Sequence, residues 1–341
     1  MAKKEKTVKC ALIGYGGAFN MAKHHGDSIN SNPGMKVVAA CDVDTARFPQ
    51  MEADFPGIHT YSSVTKLCNN EDFDLAVIIT PHNTHAKLAL QCLESGRHVI
   101  LEKPMCLNTK EATAMILAAK KSQVMLSVFH NRRWDGDYLT LQKIITSGAI
   151  GKVFHMEGFI GGYNPPGKWW RSVKAISGGA LWDWGAHFTD WMLNLMGPTE
   201  KVKDVAGYFH KLKWMDVTNE DQVEAVIRFE SGAMADLQIS SLARAGKPKW
   251  RILGTEGAIL QESWDGNVPI KVYTTLNGMN VEILVRQIGG DWGAYYRNIA
   301  GHLLKGEALA VTAVSSRRAI SVMESAEKSA KSGRIERVAY P

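Results

Sequence analysis

The stretch VKCALIGYGGAF, residues 8–19, joins a short apolar run to a glycine-rich turn. The run does not alternate with polar residues, which is typical of a strand buried on both faces of a parallel sheet. Glycines in the turn permit a tight bend and let backbone N–H groups approach a pyrophosphate at the following helix N-terminus. The stretch therefore predicts the first strand and turn of a nucleotide-binding fold.

The pattern of strand followed by helix continues through the first part of the chain. Further apolar runs occupy residues 35–42, 73–80, 97–102 and 124–129, and segments with helical spacing separate them. Such alternation predicts a doubly wound parallel sheet, so we expect a Rossmann domain over residues 1–130.

The turn itself departs from the usual G-x-G-x-x-G pattern, because Phe19 stands where the third glycine belongs. Glycine turns are also common between strands and helices without any ligand, but this one lies between a predicted strand and a predicted helix. We therefore expect cofactor contacts from Gly14, Gly16, Gly17, Ala18 and Phe19.

Asp42 ends the second predicted strand, in AACDVD. A carboxylate there can accept hydrogen bonds from both ribose hydroxyls of adenosine and would repel a 2′-phosphate, which favours NAD over NADP. The nearby Arg47 could accommodate such a phosphate, so NADP stays open. The alternative role of Asp42 is that of a turn residue at a strand end.

Two loops follow later strands, TPHNTH at residues 80–85 and LEKPM at 101–105. Ligands of open α/β sheets bind at the carboxyl ends of strands, so these loops should face the cofactor. Lys103 follows a buried strand and precedes a proline that stiffens the turn, so it can donate a proton to a substrate oxygen. The alternative is a solvated loop lysine. His82 and His85 could equally be helix N-terminal residues without a chemical role.

From about Asn131 the pattern changes to strands that follow one another, separated by glycine-bearing turns. We expect a mostly antiparallel sheet and helices near residues 179–196 and 313–331. The predicted strands lie within residues 152–162, 223–232, 234–243, 249–257 and 270–276.

The run GGALWDWGAHFTD, residues 178–190, begins the first of these helices. With helical periodicity, one apolar face comprises Leu181, Trp184, Phe188, Trp191 and Leu195. A separate polar stripe comprises Asp183, His187, Asp190 and Asn194. Asp183 lies one turn before His187, where a carboxylate can fix the tautomer of a histidine that acts as general acid or base.

Other roles for Asp183 and His187 remain open at this point. A negative charge in the first turn favours the helix dipole, and a lone histidine is commonly a core residue. The pair could also bind a metal at i, i+4, but no third ligand stands at a useful spacing, so we expect no metal site.

The preceding segment, NPPGKWWRSVKAISGG at residues 164–179, contains Trp169, Trp170 and Arg171. Indole faces pack against sugar C–H groups, and guanidinium binds hydroxyls or carboxylates. These residues could bind substrate, or the tryptophans could fill an interdomain seam. Substrate choice would also involve residues from other segments, among them Tyr296.

Composition narrows the class of protein. The 341 residues carry 40 basic and 34 acidic side chains, and part of the net charge of +6 lies in a lysine-rich N-terminal tip rather than in a basic stripe. We therefore expect no nucleic-acid partner. No apolar window reaches the ~18–20 residues of a membrane span. Five scattered cysteines without a C-x-x-C pair favour reduced thiols, so we expect a soluble, cytoplasmic protein.

Several motifs together resemble one family. GYGG at residues 14–17, TPxxxH at 80–85, EKP at 102–104 and SGGALWDWGAHFTD at 177–190 are similar to segments of the Gfo/Idh/MocA oxidoreductases, which include glucose–fructose oxidoreductase and inositol dehydrogenases. The resemblance covers essentially the whole chain, and HNRRWD at 130–135 is most similar to the scyllo-inositol dehydrogenase-like branch.

The resemblance implies a fold and an assembly. An N-terminal Rossmann domain, residues 1–130, would bind NAD, and residues 131–341 would form an α+β domain with a large open, mainly antiparallel sheet. The free face of that sheet would mediate a homodimer or homotetramer. The C-terminal helix could pack back on the first domain.

The resemblance also assigns roles to residues. The catalytic residues would be Lys103, Asp183 and His187, which with Trp170, Arg171 and Tyr296 would also contact substrate. Besides the turn at 14–19, the cofactor contacts would be Asp42, Thr80, Pro81, His82, His85, Glu102, Lys103, Asn131 and Trp170. One further departure from the family pattern is His82, which stands where asparagine is frequent.

The leading hypothesis is an NAD-dependent oxidoreductase that moves a hydride between nicotinamide and a secondary alcohol or ketone of a sugar, sugar derivative or cyclitol. His187 would act as base, Asp183 would orient it, and Lys103 would hold the substrate oxygen. One alternative is a redox-neutral glycosidase that oxidises, eliminates and returns the hydride. Another is an NAD-responsive binding protein without turnover.

Overall fold

The apolar run of residues 8–13 lies in the middle of a parallel sheet. Within the described residues, 7–16 and 20–340, the computed structural model forms two units, the first of which contains residues up to His130 and Trp292–Arg317. Its strands are β1 (Val8–Ile13), β2 (Met35–Cys41), β3 (His59–Tyr61), β4 (Leu75–Ile78), β5 (His98–Leu101) and β6 (Leu126–Val128). All pair in parallel, in the order β3-β2-β1-β4-β5-β6. This order confirms the predicted Rossmann sheet.

Helices connect the strands and continue through the chain. Those before residue 130 are α1 (Met21–Asn30), α2 (Phe48–Asp54), α3 (Val64–Asn70), α4 (His85–Glu94) and α5 (Thr109–Lys121). Those after it are α6 (Gly136–Thr146), α7 (Lys174–Ser177), α8 (Trp184–Leu195), α9 (Gly293–Lys305) and α10 (Ala313–Ser332). Side-chain caps set several starts: Asn108 accepts a hydrogen bond from the Glu111 N–H at α5.

The core of the first unit combines buried strands with aromatic residues from α9. Every residue of β4 is fully buried, as a strand covered on both faces must be. The hydroxyl of Tyr295 lies 2.9 Å from the Ser127 hydroxyl of β6, and the Tyr295 ring meets Phe129 edge to face. A segment distant in sequence thus completes this core.

The second unit, Asn131–Asp291 with Arg318–Pro341, contains a larger mixed sheet. Among the described residues its strands are β7 (Val153–Gly161), β8 (Val202–His210), β9 (Gln222–Phe229), β10 (Met234–Ser240), β11 (Trp250–Gly254), β12 (Gly257–Gln261), β13 (Ile270–Leu276), β14 (Met279–Val285) and β15 (Glu336–Arg337). Their order is β14-β13-β12-β11-β7-β10-β9-β8-β15. β7 and β10 pair in parallel and the other neighbours are antiparallel, so the prediction of a mainly antiparallel sheet is confirmed.

One face of this sheet is apolar, and α8 covers it at β7 and β10. Residues in register across it are buried: Val205, Ile227, Ala235, Met156, Ile252, Ile259 and Val272. A Cβ on Gly158 would lie 2.8 Å from both Phe188 and Met192, so glycine lets the helix lie close against β7. α8 is therefore fixed in position by close packing.

The opposite face, which we call the outer face, is more exposed. It presents Tyr208, Met234, Tyr273 and Leu284, each more than a third exposed. Charged side chains lie between these apolar residues, including Glu157 and Arg251, which form an ion pair of 2.6 Å. Across residues 7–16 and 20–340, we find no helix with the length and apolar character required to span a bilayer.

Candidate active site

The glycine turn after β1 has a geometry that requires glycine. Gly14 has a φ of 95°, and a Cβ there would lie 2.9 Å from Thr80 Cγ2 and 3.0 Å from the Ile79 carbonyl carbon. The turn therefore lies against the end of β4, at the switch point of the sheet, where open α/β sheets bind ligands. Gly16 is exposed, and a Cβ there would meet nothing within 4 Å. The predicted contacts Gly17, Ala18 and Phe19 lie outside the described residues.

Asp42 lies directly after β2 and is held by backbone donors. The Tyr15 N–H donates to Oδ2 at 2.6 Å and the Asp44 N–H donates to Oδ1 at 2.9 Å. Arg47 pairs with Asp44 at 3.3 Å. The turn at Gly14 and this fixed, partly exposed carboxylate fit a dinucleotide: one lets a pyrophosphate approach and the other can accept ribose hydroxyls.

His85 connects the loops that follow β4 and β5. Its Nε2 lies 2.9 Å from the Thr80 carbonyl oxygen, and its Nδ1 lies 2.9 Å from that of Pro104. The ring is fully buried, and burial lowers the pKa of His85 more than the carbonyls raise it. His85 therefore braces the two loops, and we reassign it from a cofactor contact to a positioning residue. His82 is also buried, with its ring 5.7 Å from that of His85.

Lys103 is partly exposed at the end of β5, next to a buried network that sequence reasoning missed. The Lys103 N–H donates to Glu102 Oε2 at 3.0 Å, and Glu102 Oε1 lies 3.0 Å from His25 Nε2. His25 Nδ1 in turn lies 2.5 Å from the Tyr296 hydroxyl. Thr80 and Pro81, by contrast, keep partial exposure at the neighbouring strand end.

The electrostatics of this network follow from its burial. Burial raises the pKa of Glu102, but the hydrogen bond with His25 and the charge of Lys103 outweigh it, so the pKa lies below its ordinary value. Burial raises the pKa of Tyr296 well above its ordinary value. The ionised Glu102 therefore holds the lysine backbone, while Tyr296 stays a neutral phenol. Because its hydroxyl is buried against His25, we also reassign Tyr296 from a substrate contact to a positioning residue.

In the second unit, the predicted helix begins later than its sequence pattern indicates. A 3₁₀ turn spans Ala180–Trp182, and α8 starts at Trp184, so Asp183 lies at the junction. The Asp183 carboxylate forms an ion pair with the Arg171 guanidinium at 2.8 Å. Asp183 is thus a partly exposed carboxylate whose position is fixed by a cation.

His187 lies one turn into α8 and is 5% exposed. Its ring centroid is 5.9 Å from that of Trp191, nearly parallel, and 5.6 Å from that of Trp184. The middle of the polar stripe is buried rather than open: Asp190 is 2% exposed and accepts two hydrogen bonds from Arg133, at 2.8 and 2.6 Å. The sequence signalled His187 by spacing, but it gave no sign of Arg133 as the partner of Asp190.

Arg171 lies between aromatic residues, as its neighbours in sequence indicate. Its guanidinium carbon is 5.3 Å from the Trp169 ring centroid and 5.0 Å from that of Trp170. Both tryptophans are partly exposed, and Arg171 also pairs with Asp183. The structure therefore brings together Trp169, Trp170, Arg171 and Asp183. Asn131 is buried at the start of a separate 3₁₀ turn, Asn131–Trp134.

A buried ion pair that lies next to α8 was also not found from the sequence. Lys249 pairs with Asp137, which also accepts a hydrogen bond from Gln261 at 2.8 Å. The ammonium lies 3.8 Å from the Trp264 ring centroid and 4.9 Å from that of Trp191, the ring that stacks on His187. Only the fold assembles these residues, because more than a hundred positions separate Asp137 from Lys249.

Comparisons with known proteins agree with this arrangement. A family model described as an oxidoreductase family with an NAD-binding Rossmann fold matches residues 8–130, and the GFO/IDH/MocA C-terminal domain matches residues 138–260.

Individual relatives are similar over three quarters of the chain or more. An NADP-dependent scyllo-inositol 2-dehydrogenase of Bacillus subtilis, IolW, is 27% identical over 97% of this chain and 96% of its own. An NAD-dependent scyllo-inositol 2-dehydrogenase of the same species is 29% identical over 75% of this chain and 74% of its own. The solved structure of the Bacillus subtilis oxidoreductase yvaA, 25% identical, has a TM-score of 0.89 over 99% of this chain and 100% of its own.

Proposed function

Because the chain belongs to the Gfo/Idh/MocA family of NAD(P)-binding oxidoreductases, we propose that it moves a hydride between NAD and a secondary alcohol or ketone of a sugar, sugar derivative or cyclitol. The observation that carries the proposal is the pair of fixed groups at the start of α8: Asp183 paired with Arg171, and His187 one turn further along. The inositol substrates named for two relatives support the substrate class.

The preference for NAD rests on Asp42. Its carboxylate is held by two backbone N–H groups, so it cannot easily turn away from a 2′-phosphate, which it would repel. The residues that would hold the dinucleotide are the 14–19 turn, Asp42 and the partly exposed Thr80 and Pro81. When bound, the nicotinamide supplies the hydride acceptor.

The chain's own residues would handle the proton. His187 takes the proton of the substrate hydroxyl as general base, and the stacked Trp191 and the tilted Trp184 limit the orientation of its ring. Asp183, fixed by Arg171, favours the imidazolium that results. Lys103 donates a hydrogen bond to the substrate oxygen and stabilises developing negative charge on it.

The two units would divide the work. We assign dinucleotide binding to the first unit, whose core Trp292–Arg317 complete, and substrate binding and self-association to the second. The outer face would form the contact in a homodimer or homotetramer, because it exposes Tyr273 and Leu284 beside charged residues. Leu284→Arg should then dissociate the assembly, which light scattering would show as a lower molar mass. Leu117→Arg, at an equally exposed leucine of α5, should leave the molar mass unchanged.

The proposal is tested with a panel of inositols, polyols, aldoses and glycosides, with NAD or NADP, followed by NAD(P)H absorbance. We expect turnover on at least one polyol or sugar, lowered about 10²–10⁴-fold by His187→Ala, and near-normal turnover for His155→Ala. Near-normal activity of His187→Ala would refute the assignment. Glycoside cleavage without accumulation of NADH would replace it with the redox-neutral reaction.

A further inference from the structure

A second group of side chains in the second unit, which we call the loop cluster, consists of Tyr163, Lys213, Trp214 and Arg244. The Arg244 guanidinium carbon lies 3.7 Å from the Tyr163 ring centroid, and the Lys213 ammonium lies 5.1 Å from it. Lys213 is also 5.2 Å from the Trp214 ring, which meets Tyr163 at 5.7 Å. Two exposed cations thus flank two partly exposed aromatic rings.

Two other basic residues of these loops, Lys211 and Lys168, form ion pairs with carboxylates. Lys211 pairs with Asp221 at 2.9 Å, and Lys168 pairs with Asp216 at 2.9 Å. For Lys213 and Arg244, no carboxylate of residues 7–16 and 20–340 lies within ion-pair distance; their side chains contact the aromatic rings instead. Their positive charge is therefore available to an anion.

The loop that carries Lys213 and Trp214 has a fixed backbone. The buried Asp221 carboxylate accepts hydrogen bonds from three consecutive backbone N–H groups, those of Leu212, Lys213 and Trp214, at 2.7, 2.6 and 3.3 Å. The Trp214 indole donates to the Ser241 carbonyl at 3.4 Å, which connects this loop to the one that carries Arg244. A preorganised loop loses little conformational entropy when it binds a ligand.

The loop that carries Lys213 and Trp214 is hydrogen-bonded to segments that carry proposed site residues. Asn219, in the same loop as Lys213, donates a hydrogen bond to the Arg171 carbonyl oxygen at 2.7 Å, and Arg171 pairs with Asp183. The next residue, Glu220, accepts a hydrogen bond from the Ala180 N–H just before α8. Hydrogen bonds therefore connect the loop that carries Lys213 and Trp214 to the segments that carry Arg171 and the start of α8.

We propose that the loop cluster binds an anionic group, a phosphate or a carboxylate, carried by the sugar or cyclitol substrate. Guanidinium and ammonium donate charge-assisted hydrogen bonds to such groups, and the rings of Tyr163 and Trp214 offer faces for the adjoining part of the molecule. This inference rests on the proposed function, since it specifies the substrate of the same site. The reacting carbinol would lie toward Asp183 and the anionic group toward Arg244.

The test is a binding titration of the full-length protein with NAD present, by calorimetry. The probes are glucose 6-phosphate, uridine diphosphate and glucuronate, with glucose and myo-inositol as neutral controls. The variant Lys213→Met/Arg244→Met removes both charges, and Lys203→Met/Lys305→Met removes two charges from exposed lysines elsewhere. We expect the first variant to weaken binding of at least one anionic probe about tenfold or more, and the control variant and neutral probes to show no change.

The inference fails if no anionic probe binds the native protein, or if both variants bind every anionic probe equally. Loss confined to the phosphorylated probes would identify a phosphate subsite, and loss confined to glucuronate a carboxylate subsite. Because the readout is the binding of anionic probes and not activity on a neutral polyol, failure here leaves the proposed hydride transfer intact. Conversely, specific anion binding by a protein inactive on every substrate would overturn only the proposed reaction.

Discussion

The hydroxyl of Tyr296 lies 2.5 Å from Nδ1 of His25, although 271 positions separate the two residues in the chain. The other ring nitrogen of His25 lies 3.0 Å from Glu102, whose carboxylate accepts the N–H of Lys103. A side chain on α9 therefore helps to fix the backbone of the proposed catalytic lysine.

Tyr296→Phe should lower both the stability of the protein and its turnover number. It leaves a buried histidine nitrogen unsatisfied, so the free energy of unfolding should fall by about 1–3 kcal/mol. The turnover number should also fall, with KM for substrate less affected. The matched control is Tyr295→Phe, whose hydroxyl is equally buried but bonds to Ser127. An equal loss of turnover in both variants would mean that the effect is only one of stability.

Asp42→Asn should change the choice of cofactor. The amide keeps an acceptor for the Tyr15 N–H but removes the charge that repels a 2′-phosphate. We expect NAD affinity to fall about tenfold or more and NADP affinity to rise, measured by quenching of tryptophan fluorescence. Asp44→Asn removes the same charge two residues away and should leave the ratio of the two affinities unchanged. An unchanged ratio in Asp42→Asn would remove Asp42 from the cofactor site.

Asp236→Asn should alter the pH dependence of stability. Burial, with the neighbouring Glu224 and Glu157 and against the opposing charge of Lys247, raises the pKa of Asp236 to about 6. A carboxyl whose pKa is raised by folding contributes stability below its unfolded pKa, and that contribution is lost as pH rises through about 6.

The variant should therefore be more stable than the native protein near pH 7.5 and no more stable near pH 4. We expect a gain of only about 1 kcal/mol in the free energy of unfolding, because Asp236 is partly exposed and solvent screens its charge. Thermal midpoints across this range provide the measurement. A constant difference between the two proteins at all pH values would contradict the assignment.

The buried pair of Asp137 and Lys249 should show strong coupling. Burial lowers the pKa of Lys249 against the opposing charge of Asp137. Lys249→Met leaves a buried carboxylate without its cation and should cost about 3–5 kcal/mol in urea unfolding. Adding Asp137→Asn should recover a large part of that loss, because the amide carries no charge. If the two single losses simply add, the pair is not coupled.

Sequence patterns predicted those elements whose environment is uniform. β1 and β4 are buried on both faces, so their apolar runs are unbroken and easily recognised. β3 was missed because it has only three residues, none fully buried. β14 was missed because exposed residues occupy both of its faces, which weakens the apolar signal.

Site residues were predictable where they share one short segment. Asp183 and His187 lie four positions apart, so helical spacing alone brings them to neighbouring turns. Their surroundings come from elsewhere in the chain: Arg171 reaches Asp183 from a loop, and Trp264 packs against Trp184, whose ring lies beside His187. No local period encodes such contacts, because only the complete fold creates them.

Residues Trp292–Arg317 follow the main segment of the second unit in the chain, yet they belong to the first unit and complete it. Their tyrosines fill its core beside Phe129 and reach His25, so a fragment that ended at residue 130 would lack part of its own interior. Domain exchange with a relative therefore requires three junctions, near residues 130, 291 and 317. A chimera made by one crossover would take the nucleotide-binding sheet from one parent and the tyrosines that pack in the core of that sheet's unit from the other.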